Sequence, residues 1–229
     1  MIVIIPVHNE AQTIGLTIAD IRKYLPKAEV VVVDGCSTDF TAYAALRHDV
    51  RVIRYPHGTQ YGDCFLEGVR LNQKDAVAYI DAGGSYSAED LVTPLHALHH
   101  WPDSEVQLGS RHSKAAGPRG WLTRLGRRVF QAAMDGDTWA DYCSMRMFAP
   151  GALARRYNEG LFNGIDRRVH IFNPCVNYRL VHREKHRAVS YFPVASYTPT
   201  NTTLRPWGVL GAAIQFLIFV AKEKLCGRR

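Results

Sequence analysis

The chain has 229 residues, 47% hydrophobic and 21% charged, which is long enough to bury a core without staples and too apolar for a disordered chain. Its five cysteines, Cys36, Cys64, Cys143, Cys175 and Cys226, are odd in number and form no C-x-x-C pair, which argues against a disulfide framework or zinc cage and for a reducing compartment. The formal charge of +7 calls for an anionic partner, and nucleotide diphosphates, lipid phosphates, membrane surfaces and nucleic acids all qualify.

The N-terminus opens directly into IVIIPV from Ile2 with no basic or cleavable leader ahead of it, a pattern that predicts a cytoplasmic protein. Further apolar runs follow: EVVVVD from Glu29, VRVIRY from Val50, AVAYID from Ala76 and EVQLGS from Glu105, each separated from the next by an amphipathic stretch. Such runs predict buried strands of a mostly parallel sheet flanked by helices, a Rossmann-like α/β fold. Asn9 with Gln12, and Ser87 with Asp90, read as capping boxes at the starts of the first and fourth helices. HSKAAGPRG from His112 reads as a basic loop able to cover a phosphate, with a helix from about Trp121. SMRMFA from Ser144 is strand-like, and a mixed segment after it ends in AVSYFPVASY from Ala188.

The apolar run from Trp207 to Ala221 contains Gln215 and is shorter than the roughly 20 residues a bilayer crossing needs. Lys222, Lys224, Arg228 and Arg229 follow it. It reads either as a helix packed on its own core or on a second copy of the chain, or as one lying in the interface of an anionic membrane. The expected organisation is one domain over residues 1–200, with halves 1–111 and 112–200, followed by a C-terminal apolar and basic helix over 201–229.

In open α/β sheets ligands bind outside the carboxyl ends of the strands. Those ends carry His8, Asn9, Glu10, Asp34 and Asp81. His96, His99 and His100 have helical spacing but no accompanying carboxylate, and read as an exposed helix face rather than a metal site. No P-loop, G-x-S-x-G or G-x-G-x-x-G signature competes.

IIPVHNE from Ile4, VVVDGCSTD from Val31, YIDAGGSYS from Tyr79 and LGSRH from Leu108 resemble, in order and spacing, the inverting family 2 glycosyltransferases. The likeness is greatest to the polyprenyl-phosphate sugar synthases of the dolichol-phosphate mannose and glucose type. The resemblance implies a GT-A-type fold and transfer of a sugar from a nucleotide-sugar to a polyprenyl phosphate, with the protein peripheral at a membrane. It places Pro6, His8 and Glu10 around the base and ribose, where Asp34 can accept hydrogen bonds from base N–H groups or ribose hydroxyls. Asp39 can do the same, or cap a helix. It places Asp81, Ala82, Gly83 and Ser85 at the diphosphate, with Mg²⁺ or Mn²⁺ held by carboxylates of a D-x-D motif.

Here that motif is Asp81-Ala82-Gly83, so the second carboxylate is missing. Either Asp81 holds the cation alone with water and phosphate oxygens, or the dependence on metal is weakened. Arg111 matches a phosphate-binding arginine whose fork suits bidentate recognition. Arg124 or Arg128, after Trp121, matches another, and Arg205 is the counterpart of a late basic stretch. Asp141, in DYCSMRMF, loosely matches a D-x-x-x-G-F-R stretch and is the expected catalytic carboxylate. A phosphate acceptor needs no strong base, whereas a hydroxyl acceptor, such as a hydroxylated DNA base, needs Asp141 or Asp166 as one. A third reading is a non-catalytic nucleotide-sugar-binding protein.

Overall fold

The computed structural model describes residues 1–56, 58–71, 74–101, 104–111, 117–183, 189–195 and 206–226, with the side chains of 117–123, 206, 207, 209 and 226 left aside. The expected strands form as β1 (Ile2–Val7), β2 (Glu29–Asp34), β3 (Arg51–Arg54), β4 (Val77–Tyr79), β5 (Val106–Arg111) and β6 (Arg146–Phe148), and the end of the mixed segment adds β7 (Val189–Val194). They make one sheet in the order β3-β2-β1-β4-β6-β5-β7. Every pair is parallel except the two made by β6, which runs antiparallel to both β4 and β5.

The near-continuous apolar runs of β1 and β2 follow from burial on both faces. Alternate residues feed two cores. Ile4, Val31, Val33, Tyr79 and Leu108 pack on one face beneath α3 (Tyr61–Leu71), α5 (Gly117–Ala133), α7 (Val169–Arg183) and α8 (Pro206–Cys226), with α6 (Ala152–Asn158) beside them. Val3, Ile5, Val30, Val32 and Ala78 pack on the other, under α1 (Ile14–Tyr24), α2 (Thr41–Leu46), a 3-10 turn (Ala88–Leu91) and α4 (Val92–His100). Ser87 caps the 3-10 turn by accepting from the Glu89 N–H, and the Asp90 carboxylate accepts from the Ala195 N–H at 3.3 Å.

α5 begins at Gly117, so the last four residues of the expected basic loop are helical; residues 112–116 of that loop, and Arg205, lie outside the described residues. α8 packs on α5 and α7, where Phe216 meets Phe130 at a centroid distance of 5.2 Å and Tyr178 at 6.1 Å. No helix among the described residues is long and apolar enough to cross a membrane.

Candidate active site

β1 and β2 end side by side, Val7 against Asp34, and the loops that follow are tied together through side chains. The Asn9 N–H donates to Ser37 Oγ (2.9 Å), Asn9 Oδ1 accepts from the Thr38 N–H (2.8 Å), the Glu10 N–H donates to Thr41 Oγ1 (2.8 Å) and the Ala11 N–H donates to Asp39 Oδ2 (3.2 Å). Asn9 sits at φ 58°, a left-handed conformation that asparagine tolerates. It joins two loops and does not cap α1, which starts only at Ile14. Five of the amides ahead of α1 are therefore spent within the protein: those of Asn9, Glu10 and Ala11 serve the neighbouring loop, and those of Thr13 and Ile14 bond the Glu10 carbonyl.

Along this seam, Pro6 is buried within β1 and His8 is exposed just beyond it. His8 Nδ1 lies 2.7 Å from the Gly35 carbonyl, so Nδ1 carries the proton and Nε2 accepts from the Asn9 amide at 3.2 Å. Asp34 is 1% exposed. Its Oδ1 accepts from both the Ser37 N–H (3.1 Å) and the Ser37 hydroxyl, while Oδ2 meets no donor among the described residues. Asp39 is exposed and both its oxygens are engaged, one by Ala11 and the other by the Thr41 N–H and hydroxyl. Asp39 thus forms a tight side-chain turn one residue ahead of Phe40, the N-cap of α2, and its engaged oxygens leave it little capacity for a ligand.

Two residues beyond Tyr79 lies Asp81. The antiparallel pairing Tyr79↔Arg146, continued by one step of the pleat, sets Ser144 opposite it, and Ser144 Oγ donates to Asp81 Oδ2 at 2.5 Å. Oδ1 is buried without a partner among the described residues. Burial pushes the Asp81 carboxyl up, against the opposing pull of the Ser144 hydrogen bond and of the Arg146 and Arg111 charges. Arg146 is fully buried; it donates to the Cys143 carbonyl (3.2 Å) and to Asn173 Oδ1 (2.8 Å). Ala82 is buried and its carbonyl accepts from the Thr17 hydroxyl at 3.2 Å. Among the described residues apart from its chain neighbours, a Cβ on Gly83 would have Glu10 Oε1 alone within 4 Å, at 3.7 Å. Ser85 is half-buried in the turn that follows.

At the end of β5, Arg111 grips Asp141. Its Nε and Nη2 form a fork onto the two carboxylate oxygens, and its own N–H donates as well, all at 2.8 Å. Its guanidinium also lies 4.6 Å from the Tyr142 ring centroid. Burial pushes the Asp141 carboxyl up, but Arg111 outweighs it and holds the group below the usual carboxylate range. The fork expected for a phosphate is thus spent on Asp141, and Asp141 is a charged anchor with no capacity left to act as a base. Asp166 is engaged on the surface by Arg168 at 2.7 Å. Arg124 and Arg128 lie exposed on α5, and between them Arg127 donates to the Arg111 carbonyl.

The segment carrying these loops, residues 2–161, matches the Glycosyl transferase family 2 domain. The chain belongs to glycosyl transferase family 2. Among its relatives are an undecaprenyl-phosphate mannosyltransferase of Micrococcus luteus, 28% identical over 54% of this chain and 53% of that protein, and a dolichyl-phosphate hexose transferase of Haloferax volcanii, 34% identical over 56% and 55%. The chain thus spans about half the length of these relatives. Among solved structures, a glucosyl-3-phosphoglycerate synthase of Mycobacterium tuberculosis in complex with Mn²⁺ and uridine-diphosphate-glucose superposes with a TM-score of 0.75 at 16% identity, over 96% of this chain and 78% of that one. The same enzyme with Mg²⁺ and uridine diphosphate gives 0.73 at 16%, over 96% and 78%. At such identity the likeness is one of fold, and the fold is GT-A.

In this family 2 chain no group of three or more His, Cys, Asp or Glu side chains is gathered among the described residues, and His96, His99 and His100 lie exposed on α4. The residues nevertheless fit a hard cation: Asp81 has an orphaned buried oxygen, and the space at Gly83 is open next to a second carboxylate. Ser144, the contact that fixes Asp81, escapes sequence reading, because its position depends on β6 entering the sheet antiparallel next to β4. The Arg111–Asp141 pairing escapes it for the same reason.

Proposed function

We propose that the chain transfers a sugar, with inversion, from a nucleotide-sugar to a polyprenyl phosphate. The observation that carries this reading is the gathering of Asp34, Glu10, Asp81 and Arg111 along one edge of the sheet, where four neighbouring loops meet. Asp34 Oδ2 and His8 take the base and ribose. Asp81, held by Ser144, faces the diphosphate, with Ala82, Gly83 and Ser85 forming the turn around it. Mg²⁺ or Mn²⁺, when bound through Asp81, neutralises charge on the departing nucleoside diphosphate. Arg111, fixed by Asp141, contributes positive potential from a position that needs no reorganisation.

A phosphate acceptor is favoured over a hydroxyl on the state of the two carboxylates offered as bases. Asp141 is saturated by Arg111, and Asp166 is paired with Arg168. A phosphate oxygen is already ionised and needs neither. The names of the relatives point the same way, and a DNA base, which presents a hydroxyl, is disfavoured for the same chemical reason.

α8 supports a lipid acceptor. Leu210, Ile214, Leu217, Ile218 and Leu225 line one helical face and are between 46% and 68% exposed. Lys222 and Lys224 flank that stripe, whereas Glu223 turns inward to Arg179 at 2.7 Å. The outward charge at this end of the helix is therefore positive, as suits a helix lying in the interface of an anionic bilayer.

Incubation with a panel of nucleotide-sugars, with and without Mg²⁺ or Mn²⁺, tests the reading through release of the nucleoside diphosphate. At least one donor is expected to turn over; binding without turnover leaves only a nucleotide-sugar-binding protein.

A further inference from the structure

The nucleotide-sugar reading leaves the diphosphate side of the site one carboxylate short, and this inference rests on that reading. Gly83 carries no side chain, and a Cβ built there points into space whose nearest occupant is Glu10 Oε1 at 3.7 Å. Glu10 enters from β1 and Asp81 from β4, neighbouring strands paired in parallel register. The Glu10 backbone is fixed at both ends, its N–H on Thr41 Oγ1 at 2.8 Å and its carbonyl accepting from the Thr13 and Ile14 amides. Its side chain is steered by the Thr13 hydroxyl, which donates to Oε2 at 2.9 Å; Oε1 takes no hydrogen bond from the described residues.

Asp81 is in the same condition, with Oδ2 held by Ser144 and Oδ1 orphaned. No lysine or arginine among the described residues forms an ion pair with either group. The two carboxylates come from neighbouring strand ends, each oriented through one oxygen by a hydroxyl and each keeping the other oxygen unbonded; Glu10 disfavours the charge on Asp81, against the pull of Arg146 and Arg111. Such an arrangement is costly unless a cation enters it. Mg²⁺ and Mn²⁺ accept one or two carboxylates together with substrate phosphates and water.

We propose that Glu10 supplies the second carboxylate to a divalent cation held with Asp81, from the opposite side of the gap that Gly83 leaves. The ligand pair is then drawn from two strand ends instead of from one D-x-D turn.

The test is Mn²⁺ titration, followed by the electron paramagnetic resonance of free Mn²⁺, with UDP or GDP present, whichever the native protein binds in EDTA. Glu10→Gln is expected to weaken Mn²⁺ binding about tenfold or more, and Gly83→Asp in the Glu10→Gln background to return it to within about threefold of native, since the space at residue 83 is open. Nucleotide affinity in EDTA is measured for all three proteins, and each Mn²⁺ titration is run at a nucleotide concentration that saturates that protein. Native Mn²⁺ affinity in Glu10→Gln at saturating nucleotide, or no recovery in the double variant, would each overturn the proposal. If neither nucleotide binds the native protein under any condition, the nucleotide-sugar reading itself fails; if one binds in EDTA and Mn²⁺ does not bind, only the role given to Glu10 falls.

Discussion

Among single residues, Asp141 has the clearest energetic role. Its carboxylate is 1% exposed and receives three bonds from Arg111. Removing one partner of a buried pair strands the other charge, at a cost of about 3–5 kcal/mol. Asp141→Asn is therefore expected to lower the unfolding free energy by that amount in denaturant titration. Because Arg111 depresses the folded carboxyl below its ordinary 3.8, the pair's contribution is fully present above that pH and is lost as pH falls through the lower folded value. The native protein should thus lose stability in this acid range more steeply than Asp141→Asn; equal slopes would mean that the fork does not form.

Asp81→Asn should behave in the opposite way. It removes a carboxylate whose burial is unfavourable, so in EDTA its Tm is expected to be no lower than native, while turnover is abolished. Asp34, Asp81 and Arg111 are legible in the sequence because strand ends can be read from apolar runs. What surrounds them is not: the bond from the Ala11 N–H to Asp39 and the Ser144 contact with Asp81 depend on pairings between segments distant in the chain.

At the level of elements, α3 lies tight on β1 because Gly68 has no side chain. A Cβ there would come within 2.8 Å of Ile4 Cγ2 and 3.1 Å of the Tyr79 hydroxyl, which donates to the Phe65 carbonyl at 2.9 Å. Gly68→Val is expected to destabilise the fold by about 1–3 kcal/mol, read from the denaturant midpoint. α8 offers a functional counterpart. Leu217→Glu with Ile218→Glu alters only exposed positions, so the Tm should hold while cosedimentation with phosphatidylglycerol vesicles is lost. Unchanged cosedimentation would exclude the stripe as the docking face, and a native dimer dissociated by the same changes would assign it to a second copy of the chain. Six of the strands are legible from hydrophobic runs and β7 lies in a stretch that reads only as mixed, while the direction of β6 is not legible, since three residues, Arg146–Phe148, carry no signal of parallel or antiparallel pairing. The start of α1, at Ile14, is not legible at Asn9 because a residue suited to capping is also suited to the left-handed turn that Asn9 adopts.

Over the whole molecule, the sheet divides the work. β3-β2-β1-β4 form a parallel set whose ends hold Asp34, Glu10 and Asp81, while β6, β5 and α5 bring Ser144, Asp141, Arg111 and the exposed Arg124 and Arg128 to the same edge. In the proposed function the carboxylates serve the donor and the basic residues the anionic acceptor; the excess of positive charge, +7 overall, lies in the second half of the chain. The most direct test of this account uses the donor that the nucleotide-sugar panel identifies, offered with a polyprenyl phosphate or with the corresponding free polyprenol in the same vesicles. The account predicts glycosyl transfer to the phosphate, with inverted anomeric configuration, and none to the alcohol. Equal transfer to the alcohol, or transfer only to a soluble hydroxyl acceptor, would contradict it.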